Sequence, residues 1–128
     1  MDTGVSIPEC DPWPVRWLTP ELLFPEELGL ESPRRNKETD IFAFAMVMYE
    51  VFSGSFPFEG LRNEASILRI RSGDRPRRPK NGSDLGLTGK LWRMMEECWK
   101  DRGRRWGISR IVSNLEHHSV QRQSGASS

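Results

Sequence analysis

Few side chains in this sequence of 128 residues are spaced to do chemistry by themselves. The only histidines, His117 and His118, are adjacent. On a helix they would point about 100° apart, and no acidic or cysteine partner has ligand spacing, so surface imidazoles are expected rather than a metal site. Cys10 and Cys98 lie far apart with no CxxC pair, which argues against a cysteine zinc site and against a disulfide framework. Arg69, Arg71, Arg75, Arg77, Arg78 and Lys80 form a basic run around one glycine and two prolines. Such a run could meet phosphates or an acidic peptide. No aromatics are interleaved for base stacking, so a solvated loop is expected and nucleic acid is not an expected partner.

The elements that must carry these residues read as helices. Net charge is +1, but residues 1–60 hold four basic and eleven acidic side chains, and residues 61–128 hold fifteen and seven. Twelve aromatics, five of them tryptophan, argue against general disorder. Pro20 suits the first position of a short helical turn through Leu23. Thr39 is a plausible N-cap, and Asp40 suits the positive end of a helix dipole. Ile41 to Phe52 is apolar at every position except Glu50, and Gly54 and Pro57 stop it. A helix apolar all round belongs in the middle of something, so a buried central helix is expected near 39–53. Asn63 and Thr88 can cap two amphipathic helices, and Ile108, Ile111, Val112 and Leu115 mark a third at helical spacing. The tryptophans 92, 99 and 106 recur every seven residues, but Gly103 and Gly107 interrupt any coiled coil. The fold class is all-α. Residues 1–12 read as an irregular lead and 119–128 as a disordered tail. The longest apolar run is far below the roughly 20 residues of a membrane span. No signal peptide is visible, so a cytoplasmic protein is expected.

Three blocks resemble the protein kinase family. Pro14-Val-Arg-Trp-Leu-Thr-Pro-Glu21 is similar to the end of a kinase activation segment, with Thr19 where the A-P-E signature has alanine. Thr39-Asp40-Ile-Phe-Ala-Phe-Ala45, running on to Gly54 and Pro57-Phe58, resembles the Ser-Asp-Val-Trp-Ser-Phe-Gly helix and its exit. Cys98-Trp99, Arg105, Ile108, Ile111 and Leu115 resemble the last block, Cys-Trp-x-x-Asp-Pro-x-x-Arg-Pro-Ser-Phe-x-x-Ile. The resemblance covers about residues 13–116, assigns 13–118 to one lobe and is nearest to tyrosine-kinase and tyrosine-kinase-like domains. It implies the C-terminal part of the kinase helical lobe, a partial C-lobe.

The resemblance also implies roles. Glu21 and Arg105 would form a structural ion pair, with Arg104 as the alternative partner because this last block is one residue short. Asp40 would anchor the catalytic loop from the start of the central helix, or simply stabilise the helix dipole. Val15, Arg16, Trp17 and Leu18 would position a substrate residue, or form a loop packed on the helices. ATP and Mg serve the intact family, but phosphoryl transfer needs a Gly-rich loop, a phosphate lysine, a catalytic aspartate and Mg ligands. None of GxGxxG, Val-Ala-Ile-Lys, His-Arg-Asp or Asp-Phe-Gly occurs in these residues. The expectation is therefore no cofactor and no catalytic residue in this chain. Either it is a kinase fragment inactive alone, needing a protein partner or the remaining kinase lobe, or it is a non-catalytic interaction module.

Overall fold

The central element, α2, spans Lys37–Ser53, two residues longer at its start than the sequence suggests. Thr39 does not cap it. Asn36 does, and Thr39 sits three residues in: its N–H donates to Asn36 Oδ1 at 3.0 Å, while the Asn36 N–H donates to Thr39 Oγ1 at 2.8 Å. This reciprocal capping box satisfies two donors that a helix start would otherwise strand. Gly54 ends the helix in the left-handed region at φ +74°, its N–H donating to Glu50 O.

The computed structural model describes residues 15–30 and 34–125. Around α2 stand α1 (Pro20–Leu23), α3 (Asn63–Arg71), α4 (Gly89–Cys98) and α5 (Ile108–Gly125), with no strand among the described residues. Thr19 caps α1 through Leu22 N–H, and Thr88 caps α4 through Leu91 N–H. Arg62, rather than Asn63, occupies the cap position of α3 and makes no side-chain cap bond. The lead expected over 1–12 lies outside the described residues. The tail expected from 119 is instead the last part of α5, which is helical through Gly125. Residues 119–123 contain no proline or glycine to stop it.

α4 packs along α2 and α5 packs on α4; a 3-10 turn at Val15–Trp17 lies against α2 and α3. Phe42, Ala45 and Met46 of α2 meet Ile67 and Ile70 of α3, Met94, Met95 and Cys98 of α4, and Ile111 of α5 in one fully buried cluster. Each large side chain so buried contributes about 1.5–3 kcal/mol relative to exposure. Burial of α2 is one-sided, however. Asp40, Phe44, Val47 and Val51 recur at helical spacing and are exposed, and beside them α5 exposes Ile108 and Val112. The later helices are too few to surround α2, so an apolar strip stays bare.

Candidate functional site

Two arginines far apart in sequence organise the surface on which the sequence placed its candidate residues. Arg105 donates through Nη1 to Glu21 Oε2 at 2.5 Å and through Nη2 to Oε1 at 2.8 Å, a bidentate pair with side chains 0% and 5% exposed. Its remaining donors reach Lys100 O at 2.7 Å and Glu38 O at 3.3 Å. Burial alone would raise the Glu21 carboxyl, but the hydrogen bonds and charge of Arg105 outweigh it and hold the group below its ordinary value. The pair joins α1 to the loop before α5. Arg104, the alternative, is exposed and does not reach Glu21. Glu38 adds a second tie by accepting the Gly103 N–H at 2.7 Å.

The strip Val15, Arg16, Trp17 and Leu18 faces inward. Val15, Arg16 and Leu18 are buried and Trp17 is half-buried, its Nε1–H donating to Glu50 at 2.8 Å. Arg16, expected from the resemblance as one of four substrate-positioning residues, is a hub of hydrogen bonds within the fold. It donates to Asn63 Oδ1 at 3.2 Å, to Pro57 O at 3.0 Å, to Phe58 O at 2.6 Å and to Leu61 O, and lies over the Phe56 ring. Those carbonyls belong to the loop leaving α2, where Phe58 holds a left-handed φ of +58°. A non-glycine residue there is strained, and three bonds from one guanidinium to the loop carbonyls, with a fourth to Asn63 at the start of α3, hold the loop in place.

Asp40 is exposed at the first turn of α2. With Lys37 it rims a hollow of about 370 Å³ whose walls are Ile41, Phe44, Ile108 and Ile111. No hydrogen bond or ion pair joins Asp40 to the Glu21–Arg105 pair among the described residues; it sits by the bare apolar strip.

The basic run is not uniformly solvated. Arg69 pairs with Asp74 at 3.1 Å and Arg71 with Glu27, both at the surface. Arg75 is drawn in: Nε donates to Trp99 O at 2.8 Å, and Nη1 to Ile70 O and Asp74 O at 3.1 and 2.8 Å. Its guanidinium lies over the Phe42 ring, as does that of Arg105. Burial, and then the charge of Arg105, push its pKa down. In the sequence Arg75 differs from its neighbours only in following Gly73-Asp74 and preceding Pro76, which was too little to single it out.

Among the described residues no three His, Cys, Asp or Glu side chains could hold a metal ion. Cys98 is a buried free thiol, its pKa pushed up to about 12 chiefly by burial. No helix of the described residues is long and apolar enough to cross a membrane.

The sequence pattern of the protein tyrosine and serine/threonine kinase family matches residues 5–115. The chain belongs to that family. It is 31% identical over 112 residues, 84% of its length, to human "Inactive tyrosine-protein kinase 7". It is 31% identical over 102 residues, 79% of its length, to "Dual specificity protein kinase pyk3" of Dictyostelium discoideum. A shorter stretch of 68 residues, 52% of the chain, is 32% identical to "Fibroblast growth factor receptor" of Ciona intestinalis. The chain spans 9%, 7% and 8% of these relatives. The helical, strand-free architecture of the described residues is that of part of a kinase C-lobe.

Proposed function

We propose that this kinase-family chain is the C-terminal part of a kinase helical lobe and carries out no phosphoryl transfer by itself. In the intact family member the γ-phosphoryl group of ATP would pass to a protein hydroxyl, with ATP and Mg held by residues not among these 128. The observation that carries this reading is the bare strip of α2. Phe44, Val47 and Val51, flanked by Ile108 and Val112, form an apolar surface of the kind that marks an interface. Its occupant would be the remaining part of a kinase lobe, supplied by further polypeptide or by a partner. The Glu21–Arg105 pair is architectural in this reading. The strip Val15–Leu18 would meet a substrate through its backbone, since its side chains are turned inward. Asp40, at the rim of the hollow, would hold the catalytic-loop backbone of that remaining part. The working location is the cytoplasm, and neither a membrane nor nucleic acid is a proposed partner.

Calorimetric titration with Mg-ATP tests the catalytic half of this reading. No heat beyond dilution is expected, because a kinase contributes positioning and electrostatics that these residues do not supply. A micromolar dissociation constant would sink it. The second reading is a non-catalytic interaction module, and it is supported by likeness to a relative whose name describes an inactive kinase. A sharp monomer that melts cooperatively and ignores hydrophobic dyes would favour that module, because its core would then be closed without a partner.

A further inference from the structure

The loop between α3 and α4 carries the one Asn-Gly pair of the sequence, Asn81-Gly82; the other asparagines, Asn36, Asn63 and Asn114, precede Lys37, Glu64 and Leu115. Packing explains the glycine. A Cβ on Gly82 would lie 2.8 Å from Leu87 Cδ2 and 3.2 Å from Leu87 Cβ, and Leu87 is a fully buried core side chain. The Leu87 N–H also donates back to Gly82 O at 2.9 Å, across the 3-10 turn Gly82–Leu85. On the other side, the Gly82 N–H donates to Pro79 O at 3.2 Å and closes a β-turn over Lys80 and Asn81. Neither of those two residues has a positive φ, so the turn is type I with Asn81 at its third position. Gly82 is buried, whereas Asn81 is exposed and its carboxamide makes no hydrogen bond among the described residues.

An asparagine followed by glycine is open to attack by the next backbone nitrogen, because no side chain shields that nitrogen. The Gly82 nitrogen gives up its proton and bonds to Asn81 Cγ; the Cγ–Nδ2 bond breaks, and the amide leaves as ammonia with one proton taken up. Water then opens the five-membered succinimide at either carbonyl, giving aspartate or an isoaspartate whose backbone runs through Cβ and Cγ. The net change is water consumed and ammonia released, with no oxidation. The exposed cations Arg77, Arg78 and Lys80 in the same loop favour the ionised nitrogen and the carboxylate product. The fold opposes the reaction. A type I turn sets ψ of its third residue at about 0°, which carries the Gly82 nitrogen away from the Asn81 side chain. Ring closure requires turning ψ by about a third of a rotation, which breaks the Gly82–Pro79 bond. We propose that Asn81-Gly82 is a deamidation site that this turn holds closed and that reacts when the turn opens. The isoaspartate product cannot return to the turn, because its extra backbone carbon adjoins Gly82, where Leu87 leaves no room for even a methyl group. The modification makes opening irreversible.

The test ages the full chain, helical by circular dichroism in dilute neutral buffer, beside a sample unfolded in guanidinium chloride. Mass spectrometry of the peptide bearing Asn81 reads the gain of an amide-to-acid exchange, and ion exchange separates the aspartate and isoaspartate forms. The gain should appear several-fold faster in denaturant, because the rate in the folded chain follows the population of the opened turn. Asn36, Asn63 and Asn114 should stay unmodified over the same period in both samples. Asn81→Gln, at an exposed side chain, should abolish the gain and leave the unfolding temperature unchanged. The isoaspartate form, returned to buffer, should unfold at a lower temperature than the parent, and the aspartate form close to it. Equal rates in buffer and denaturant, no gain at Asn81 in denaturant, or an isoaspartate form as stable as the parent overturns the proposal.

Discussion

Glu21 and Arg105 lie 84 positions apart and hold each other in a region where neither charge would be stable alone. Removing one partner strands the other, which typically costs about 3–5 kcal/mol when the pair is buried. Glu21→Ala and Arg105→Ala should each destabilise on that scale, while the double variant loses much less than the sum. A double-mutant cycle by chemical denaturation measures this coupling, and additive losses would show that the two do not act together. The pair also sets an acid sensitivity. The folded Glu21 carboxyl lies below its ordinary value of 4.5, so the folded state releases this proton more readily than the unfolded state does. Its stabilisation is present in full at neutral pH and is lost as pH falls through the folded value. An unfolding temperature that drops in acid for the parent, but less for Glu21→Gln, is the expected result. Cys98, with its thiol at about 12 and no exposure, should resist thiol reagents at neutral pH until the chain unfolds. A Cys10→Ser variant that labels rapidly while folded would contradict this.

At the scale of the element, α2 depends on its two ends. Asn36→Ala removes the acceptor for the Thr39 N–H and should cost about 1 kcal/mol. Gly54→Ala places a Cβ at φ +74°, where no neighbouring atom interferes, so its loss of about 1 kcal/mol would come from backbone conformation alone. Thermal denaturation of both variants checks these figures. The middle of the helix behaves differently on its two sides. Phe42, fully buried among α2, α3 and α4, should cost about 3–5 kcal/mol on truncation to alanine. Val47 and Val51 are exposed, and their replacement by glutamine should leave stability nearly unchanged while reducing dye binding. Equal destabilisation on both sides would mean that the exposed side is covered in solution.

At the scale of the whole molecule, the bare strip predicts behaviour that no single residue controls. The chain alone should bind hydrophobic dyes and self-associate with rising concentration, as apolar patches of this kind do. Supplying the rest of a kinase helical lobe as a separate polypeptide should suppress both, read by dye fluorescence and light scattering. Suppression in the parent but not in a Phe44→Gln, Val47→Gln variant would place the contact on α2. Unchanged scattering on adding that polypeptide would count against the proposed occupant.

Much of this was legible before any coordinates, for a physical reason. Helix stops and caps such as Gly54 and Thr88 act within a few residues, and the apolar spacing of α4 and α5 is local as well, so the sequence alone determined the all-α class. The three blocks around Glu21, Asp40 and Cys98-Trp99 also carried the family, because their residue types recur at family-like separations. The start of α2 was misplaced because Asn36 and Thr39 are both good caps, and only the reciprocal bonds show which one leads. The end of α5 was misplaced because a polar segment without breakers can be helix or tail. What only the tertiary structure decided is the use of Arg16 and Arg75, which are fixed by distant partners, loop carbonyls for the one and Trp99 and Phe42 for the other, and the choice of Arg105 over Arg104 as the partner of Glu21. The bare side of α2 was decided there too, since a uniformly apolar helix carries no mark of which face its neighbours will cover.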